Sequence, residues 1–174
     1  MKQILVVVDM QNDFIDGALG TKEAQAIVDR AAEKIRNFDG DVFVTYDTHT
    51  ADYLSTAEGA KLPVPHCIKG THGWALNETI EQALCGRPYT AVEKPTFGST
   101  RLPELLRERY GALSFTVTLI GLCTDICVIS NALLLKASFP EYTIGVDPAC
   151  CAGVTPASHD AALTAMRMCQ IEGA

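Results

Sequence analysis

The chain lacks the features that would tie it to a membrane, to nucleic acid or to an oxidising compartment. No apolar run approaches the roughly 20 residues that a helix needs to span a bilayer. The first expected strand begins at Gln3, which leaves no space for a secretory leader, and the expected address is cytoplasmic. Positive charge is in deficit. Fourteen Lys and Arg stand against 21 Asp and Glu, a net charge of -7, which argues against nucleic acid or an anionic membrane as the main partner. Repeats, linkers and low-complexity stretches are missing, so 174 residues read as one domain spanning 1–174. The sequence also has no Cys-x-x-Cys pair, which removes a thioredoxin-like redox site and a structural zinc finger. Its seven cysteines are an odd number in a chain too long for a disulfide-dense mini-domain, and they read as reduced thiols, most of them small buried hydrophobes.

What is present is an alternation of short apolar strands and amphipathic helices. Residues 3–8, 41–46, 89–92, 115–120 and 142–146 are brief, β-branched or aromatic runs, as expected of strands buried on both faces. Between them lie helical patterns at about 21–37, 77–85, 102–109, 127–137 and 156–171. This order predicts an α/β fold with a mainly parallel sheet. Residues 50–73 hold no periodicity and contain Gly59, Pro63, Pro65, Gly70 and Gly73, which marks a long loop of the kind that usually carries function.

Ligands of such sheets bind beyond the carboxyl ends of the strands. Asp9, Asp47 with His49, Lys94 and Cys127 each follow a different strand, so four sets of polar groups are expected at one sheet edge. Cys127 falls where strand 115–120 gives way to a helix, with Thr124 or Asp125 as the expected N-cap. A thiol in a first helical turn has its thiolate stabilised, as a nucleophile requires. Asp9 is the candidate base and Lys94 the candidate cation. Singly, each has a blander reading: a turn carboxylate, a solvated lysine, a core thiol. Their shared placement is what carries the argument. Asp47, His49, Glu58 and His66 add two carboxylates and two imidazoles, a donor set suited to zinc, iron or manganese.

Three stretches together resemble the signatures of the isochorismatase-like cysteine hydrolases. They are Asp9-Met10-Gln11-Asn12-Asp13-Phe14, then Lys94-Pro95 with Phe97, and Gly121-Leu122-Cys123-Thr124-Asp125-Ile126-Cys127-Val128. The resemblance covers nearly the whole chain and implies a three-layer α/β/α, Rossmann-like architecture. It implies a catalytic triad of Asp9, Lys94 and Cys127, in which Cys127 attacks a carboxamide to give a thioester and ammonia. It also implies a cis peptide between Leu122 and Cys123, with the backbone around Leu122, Cys123 and Cys127 forming the oxyanion hole. Pro65-His66-Cys67 and the Asp47-x-His49 pair resemble the metal segments of nicotinamidases, with Glu58 as the remaining ligand. This implies a divalent metal, zinc before iron or manganese, that orients the substrate ring.

Phe14 and Phe97 are then the expected substrate contacts. The aromatic residue common before the Pro-x-His segment is replaced by Leu62-Pro63-Val64, and the sole Trp74 lies beyond it, as a packing residue. The implied activity is a cysteine-dependent amidohydrolase, nicotinamidase first, with another small amide or ureido compound as the alternative substrate. A small-molecule amide is the implied partner, and a homo-oligomer the implied assembly. A redox or metal-binding module built on Cys123 and Cys127 is the competing class, and it leaves Asp9 and Lys94 unexplained.

Overall fold

A computed structural model describes residues 1–174. Five strands form a single parallel sheet: β1 (Lys2–Val8), β2 (Asp41–Asp47), β3 (Tyr89–Lys94), β4 (Phe115–Leu122) and β5 (Thr143–Ala152). Their order across the sheet is β3-β2-β1-β4-β5. The chain therefore winds outward from β1 in one direction, then returns to the other side of β1 with β4. That reversal opens a crevice at the carboxyl ends of β1 and β4, the usual ligand position in such sheets.

Seven α-helices accompany the strands: α1 (Asn12–Ile15), α2 (Lys22–Asn37), α3 (Ala57–Lys61), α4 (Glu78–Leu84), α5 (Arg101–Tyr110), α6 (Ile129–Ser138) and α7 (Pro156–Met168). The alternation of side chains along a strand divides the core into two layers. Leu5 and Val7 of β1 pack with Ile27, Ala31 and Ile35 of α2 and with Ile80 and Leu84 of α4. Ile4, Val6 and Val8 pack instead with Leu102 and Leu106 of α5, Ala132 and Leu135 of α6 and Met166 of α7. The predicted three-layer α/β/α architecture is the observed one.

Local chemistry explains the better-defined helix starts. The Thr21 hydroxyl accepts the Ala24 N–H at the head of α2, and Asn77 caps α4 by accepting from Thr79 N–H. Thr155 and Ser158 form a reciprocal capping box at α7, with Pro156 in the first helical position.

The structure departs from the sequence expectation in four places. The loop from residue 50 to 73 is not wholly irregular, because it holds a 3₁₀ turn at Tyr53–Ser55 and the short helix α3. Strand β5 runs on to Ala152, past Pro148, with a register shift against β4 between Leu119 and Gly121. The last helix ends at Met168 rather than near residue 171. Cys127 does not sit in the first turn of an α-helix: Thr124–Val128 forms a π turn, in which Val128 N–H reaches back five residues to the Cys123 carbonyl at 3.0 Å.

Gly121 shows why this strand-to-turn passage needs its sequence. It lies opposite Val8 in the sheet and has φ +116°, a region that side-chain-bearing residues rarely adopt. A Cβ there would collide with the backbone carbonyl of Val8. Gly121→Ala is expected to lower unfolding stability by about 2–4 kcal/mol, strain and collision together, as read from urea denaturation; a loss below 1 kcal/mol would show that β1 and β4 can separate freely.

Candidate active site

Four of the predicted residues are delivered to the crevice by strand ends. Asp9 follows β1 directly and has φ +47°, unusual for a residue with a side chain. Asp47 ends β2, and its register partner Lys94 ends β3. Cys127 comes from the π turn after β4. All four side chains are buried.

Lys94 is the hub. Its ammonium lies 2.6 Å from Asp9 Oδ2, 3.3 Å from Asp47 Oδ1 and 3.6 Å from Cys127 Sγ, and it also donates to the Thr96 carbonyl at 3.1 Å. The Asp9 contact is a close ion pair, and Oδ2 has no partner besides this ammonium. Asp9 Oδ1, by contrast, accepts the Thr45 hydroxyl at 2.6 Å. Burial, opposed by the Lys94 charge, leaves the Asp9 carboxyl above the usual carboxylate range. Burial and then the Asp9 carboxylate push the Cys127 thiol well above its ordinary value. This corrects the expectation of a thiolate stabilised by a helix start. In the free site the proton stays on sulfur. Burial works against the Lys94 charge too, but Asp9, Cys127 and Asp47 raise its affinity for the proton, so it stays ammonium.

Thr124 and Asp125 also part from the expected N-cap role. The Thr124 hydroxyl is hydrogen-bonded to His159 Nδ1 at 2.8 Å, and the Asp125 carboxylate accepts the Val154 N–H. Both tie the π turn to the segment around α7 rather than to its own helix. The Leu122–Cys123 peptide is cis, as the family resemblance implied. The Cys123 carbonyl accepts N–H groups from Ile126 and Val128.

The four candidate metal ligands converge beside this hub. One ligand atom each from Asp47, His49, Glu58 and His66 lies within 4.8 Å of the other three. His49 Nε2 is 3.0 Å from Asp47 Oδ2 and 3.7 Å from Glu58 Oε1, and His66 Nε2 is 3.5 and 3.7 Å from the same two oxygens. His66 Nδ1 meets the Val64 carbonyl at 2.8 Å. A carbonyl only accepts, so that nitrogen carries the hydrogen and Nε2 offers a lone pair to the cluster. Two carboxylates with two imidazole nitrogens fit a divalent transition metal, zinc foremost. Burial pushes the Asp47 carboxyl up, but the adjoining His49 and His66 imidazoles and the Lys94 charge carry it below the usual range. Asp47 thus serves both groups, Oδ1 toward Lys94 and Oδ2 toward the histidines.

Several supporting residues were quoted in the sequence motif without a role. Gln11 is buried and clamps Asp47 like a neighbouring strand: its amide oxygen accepts Asp47 N–H at 2.8 Å and its NH₂ donates to Asp47 C=O at 2.9 Å. Asp13 accepts Cys67 N–H at 2.8 Å, next to His66, and its carboxylate fills the space a Cβ on Gly73 would need. Asn12 donates to the His72 carbonyl. Their signal was the density of polar residues straight after a buried strand.

A cavity of about 50 Å³ touches both groups, lined by Asp47, Glu58 and His66 together with Cys123 and Cys127. Phe14, Phe97, Leu19, Leu62 and Ile126 complete its wall, which brings both expected aromatic contacts to the site. Phe14 also packs on His66 with ring centroids 5.5 Å apart. Tyr53 backs His49 and His66 from behind, and Trp74 packs on Tyr46 and donates to the Thr48 hydroxyl, outside the cavity.

This geometry was compared with known proteins. Residues 3–172 match the isochorismatase domain. The chain belongs to the isochorismatase family. Among its relatives is a nicotinamidase/pyrazinamidase from Mycobacterium tuberculosis, 29% identical over 97% of this chain and 96% of the relative. A crystal structure of a nicotinamidase from Bacillus subtilis superposes with a TM-score of 0.78 at 29% identity, covering 96% of this chain and 95% of the other. The crystal structure of a pyrazinamidase from Pyrococcus horikoshii in complex with zinc also gives 0.78, at 25% identity over 98% and 97% of the two chains. No helix of this family member is long and apolar enough to cross a membrane.

Removing the hub should expose the electrostatic cost of the two carboxylates around it. In metal-free protein, Lys94→Met is expected to lower stability by about 3–5 kcal/mol at pH 8. Without the ammonium, Asp9 titrates still further above its unfolded value in the folded state, and Asp47 loses part of what holds it low. The deficit should therefore be small near pH 4 and grow as pH rises. Urea denaturation across that range measures it; a deficit independent of pH would overturn the assignment.

Proposed function

We propose that this protein is a nicotinamidase, converting nicotinamide to nicotinate and ammonia through a thioester on Cys127. Its place among amidohydrolases rests on the family and on the full-length relatives above. The observation that carries the narrower reading is one cavity lined both by Cys127 and by Asp47, Glu58 and His66 of the candidate metal cluster. A small planar amide with a second donor atom in its ring would reach both. Apolar and aromatic side chains, Phe14 and Phe97 among them, are suited to its faces.

In this reading Asp9 takes the Cys127 thiol proton as sulfur attacks the carboxamide carbon. Lys94 holds the Asp9 and Cys127 partners together and favours the charge that develops between them. Backbone N–H groups of the Cys123–Cys127 segment receive the oxyanion. Asp9 then passes its proton to the departing amine, ammonia leaves, and a thioester remains. Asp9 next removes a proton from water, which attacks the thioester carbon and releases nicotinate with Cys127 as thiol. Asp47, His49, Glu58 and His66 would hold a divalent metal, which supplies a Lewis-acid anchor for a ring nitrogen. Zinc is the assignment that the donor set favours.

Two measurements check these roles. Ammonia release from nicotinamide should be present in wild type and fall by at least about a thousandfold in Cys127→Ala. Release undiminished in the variant would remove Cys127 as nucleophile, and none from either protein would move the substrate to another small amide or ureido compound. Elemental analysis of metal-replete protein should find one divalent metal per chain in wild type and well under half of that in His66→Ala. Wild type without bound metal would overturn the cluster assignment.

A further inference from the structure

Thr45 of β2 reaches Asp9 from the neighbouring strand. It is fully buried, two residues before Asp47 and opposite Val8 in the register of β1 and β2. Its hydroxyl donates to Asp9 Oδ1 at 2.6 Å and accepts the Asp9 backbone N–H at 3.2 Å. A hydroxyl has one hydrogen. With a lone pair taken by the N–H, that hydrogen is aimed at Oδ1. The same residue thus holds the backbone of Asp9, which sits at φ +47°, and saturates one of its two carboxylate oxygens. The other oxygen, Oδ2, meets the Lys94 ammonium at 2.6 Å and no other donor.

We propose that Thr45 is a positioning residue that selects Oδ2 of Asp9 as the oxygen that exchanges protons with Cys127 and with the leaving amine. The proposal deepens the amidase reading and rests on it for the proton's destination. In each half-reaction the proton moves between sulfur, amine or water and Oδ2, while Oδ1 keeps the Thr45 hydrogen bond throughout. A carboxylate fixed at one oxygen and at its backbone presents the other in a single direction. Its base strength is also set from outside the reacting groups. The hydroxyl pulls the Asp9 carboxyl down, in the same sense as Lys94, while burial and Asp47 push it up.

The test compares wild type with Thr45→Val, which keeps the β-branched shape and removes the hydroxyl, and Thr45→Ser, which restores it. In Thr45→Val the acid limb of the kcat/KM profile for nicotinamide should move up by about one to two pH units. kcat should fall about tenfold to a hundredfold while KM changes less than threefold, and bound metal should remain at the wild-type level. Thr45→Ser should recover the limb and most of kcat. A role confined to folding would lower the melting temperature without moving the limb.

The pH dependence of Cys127 alkylation by iodoacetamide, followed by peptide mass spectrometry, reads the same base without substrate. If wild type leaves nicotinamide intact but alkylation shows the shifted limb in Thr45→Val and its recovery in Thr45→Ser, the substrate reading fails and the Thr45 assignment stands. A limb within 0.3 units of wild type in Thr45→Val, by the assays that register activity (an about twofold change at most), overturns it. So does a Thr45→Ser variant as impaired as Thr45→Val.

Discussion

One buried ammonium organises this protein's chemistry. Lys94 is enclosed by Asp9, Asp47 and Cys127, and no water-exposed route offers it another partner. Burying a charge is tolerable only when opposite charge and hydrogen bonds replace water, and here two carboxylates and the Thr96 carbonyl do so. Because those carboxylates end neighbouring strands, the ion pairs also lock the edge of the sheet. The candidate nucleophile, its base and the metal cluster are therefore parts of a single electrostatic unit.

Asp47 makes the connection between the two halves of that unit. One oxygen meets the ammonium and the other meets both histidines. Gln11 pins its backbone in the manner of a strand, which keeps the two oxygens pointing in different directions. The tautomer of His66, set by the Val64 carbonyl, completes a cluster whose lone pairs converge. Families that share this fold can hold such groups apart or together by small changes at strand ends, since the sheet itself is indifferent to what its ends carry.

Much of this was legible in the sequence, and the reasons are local. A β-branched run followed by a polar cluster marks a strand end, and Asp9, Asp47, Lys94 and the 121–128 segment are each marked that way. The π turn at Thr124–Val128 was not, because an extra residue in a helical turn leaves the apolar spacing nearly unchanged. The raised Cys127 thiol was missed for a different reason. Helix-start position is a sequence property, whereas full burial beside a carboxylate is a property of packing. Thr45 and Gln11 escaped notice because their roles depend on register between strands some 36 residues apart in the chain.

The short helix α3 carries both Glu58, which faces the histidines, and, just after its end, Leu62, which walls the cavity. Swinging that segment outward to admit a molecule would withdraw a donor from the cluster at the same moment. Leu19, Phe97 and Ile126 line the same cavity without belonging to the cluster, so movement there would leave the four donors in place.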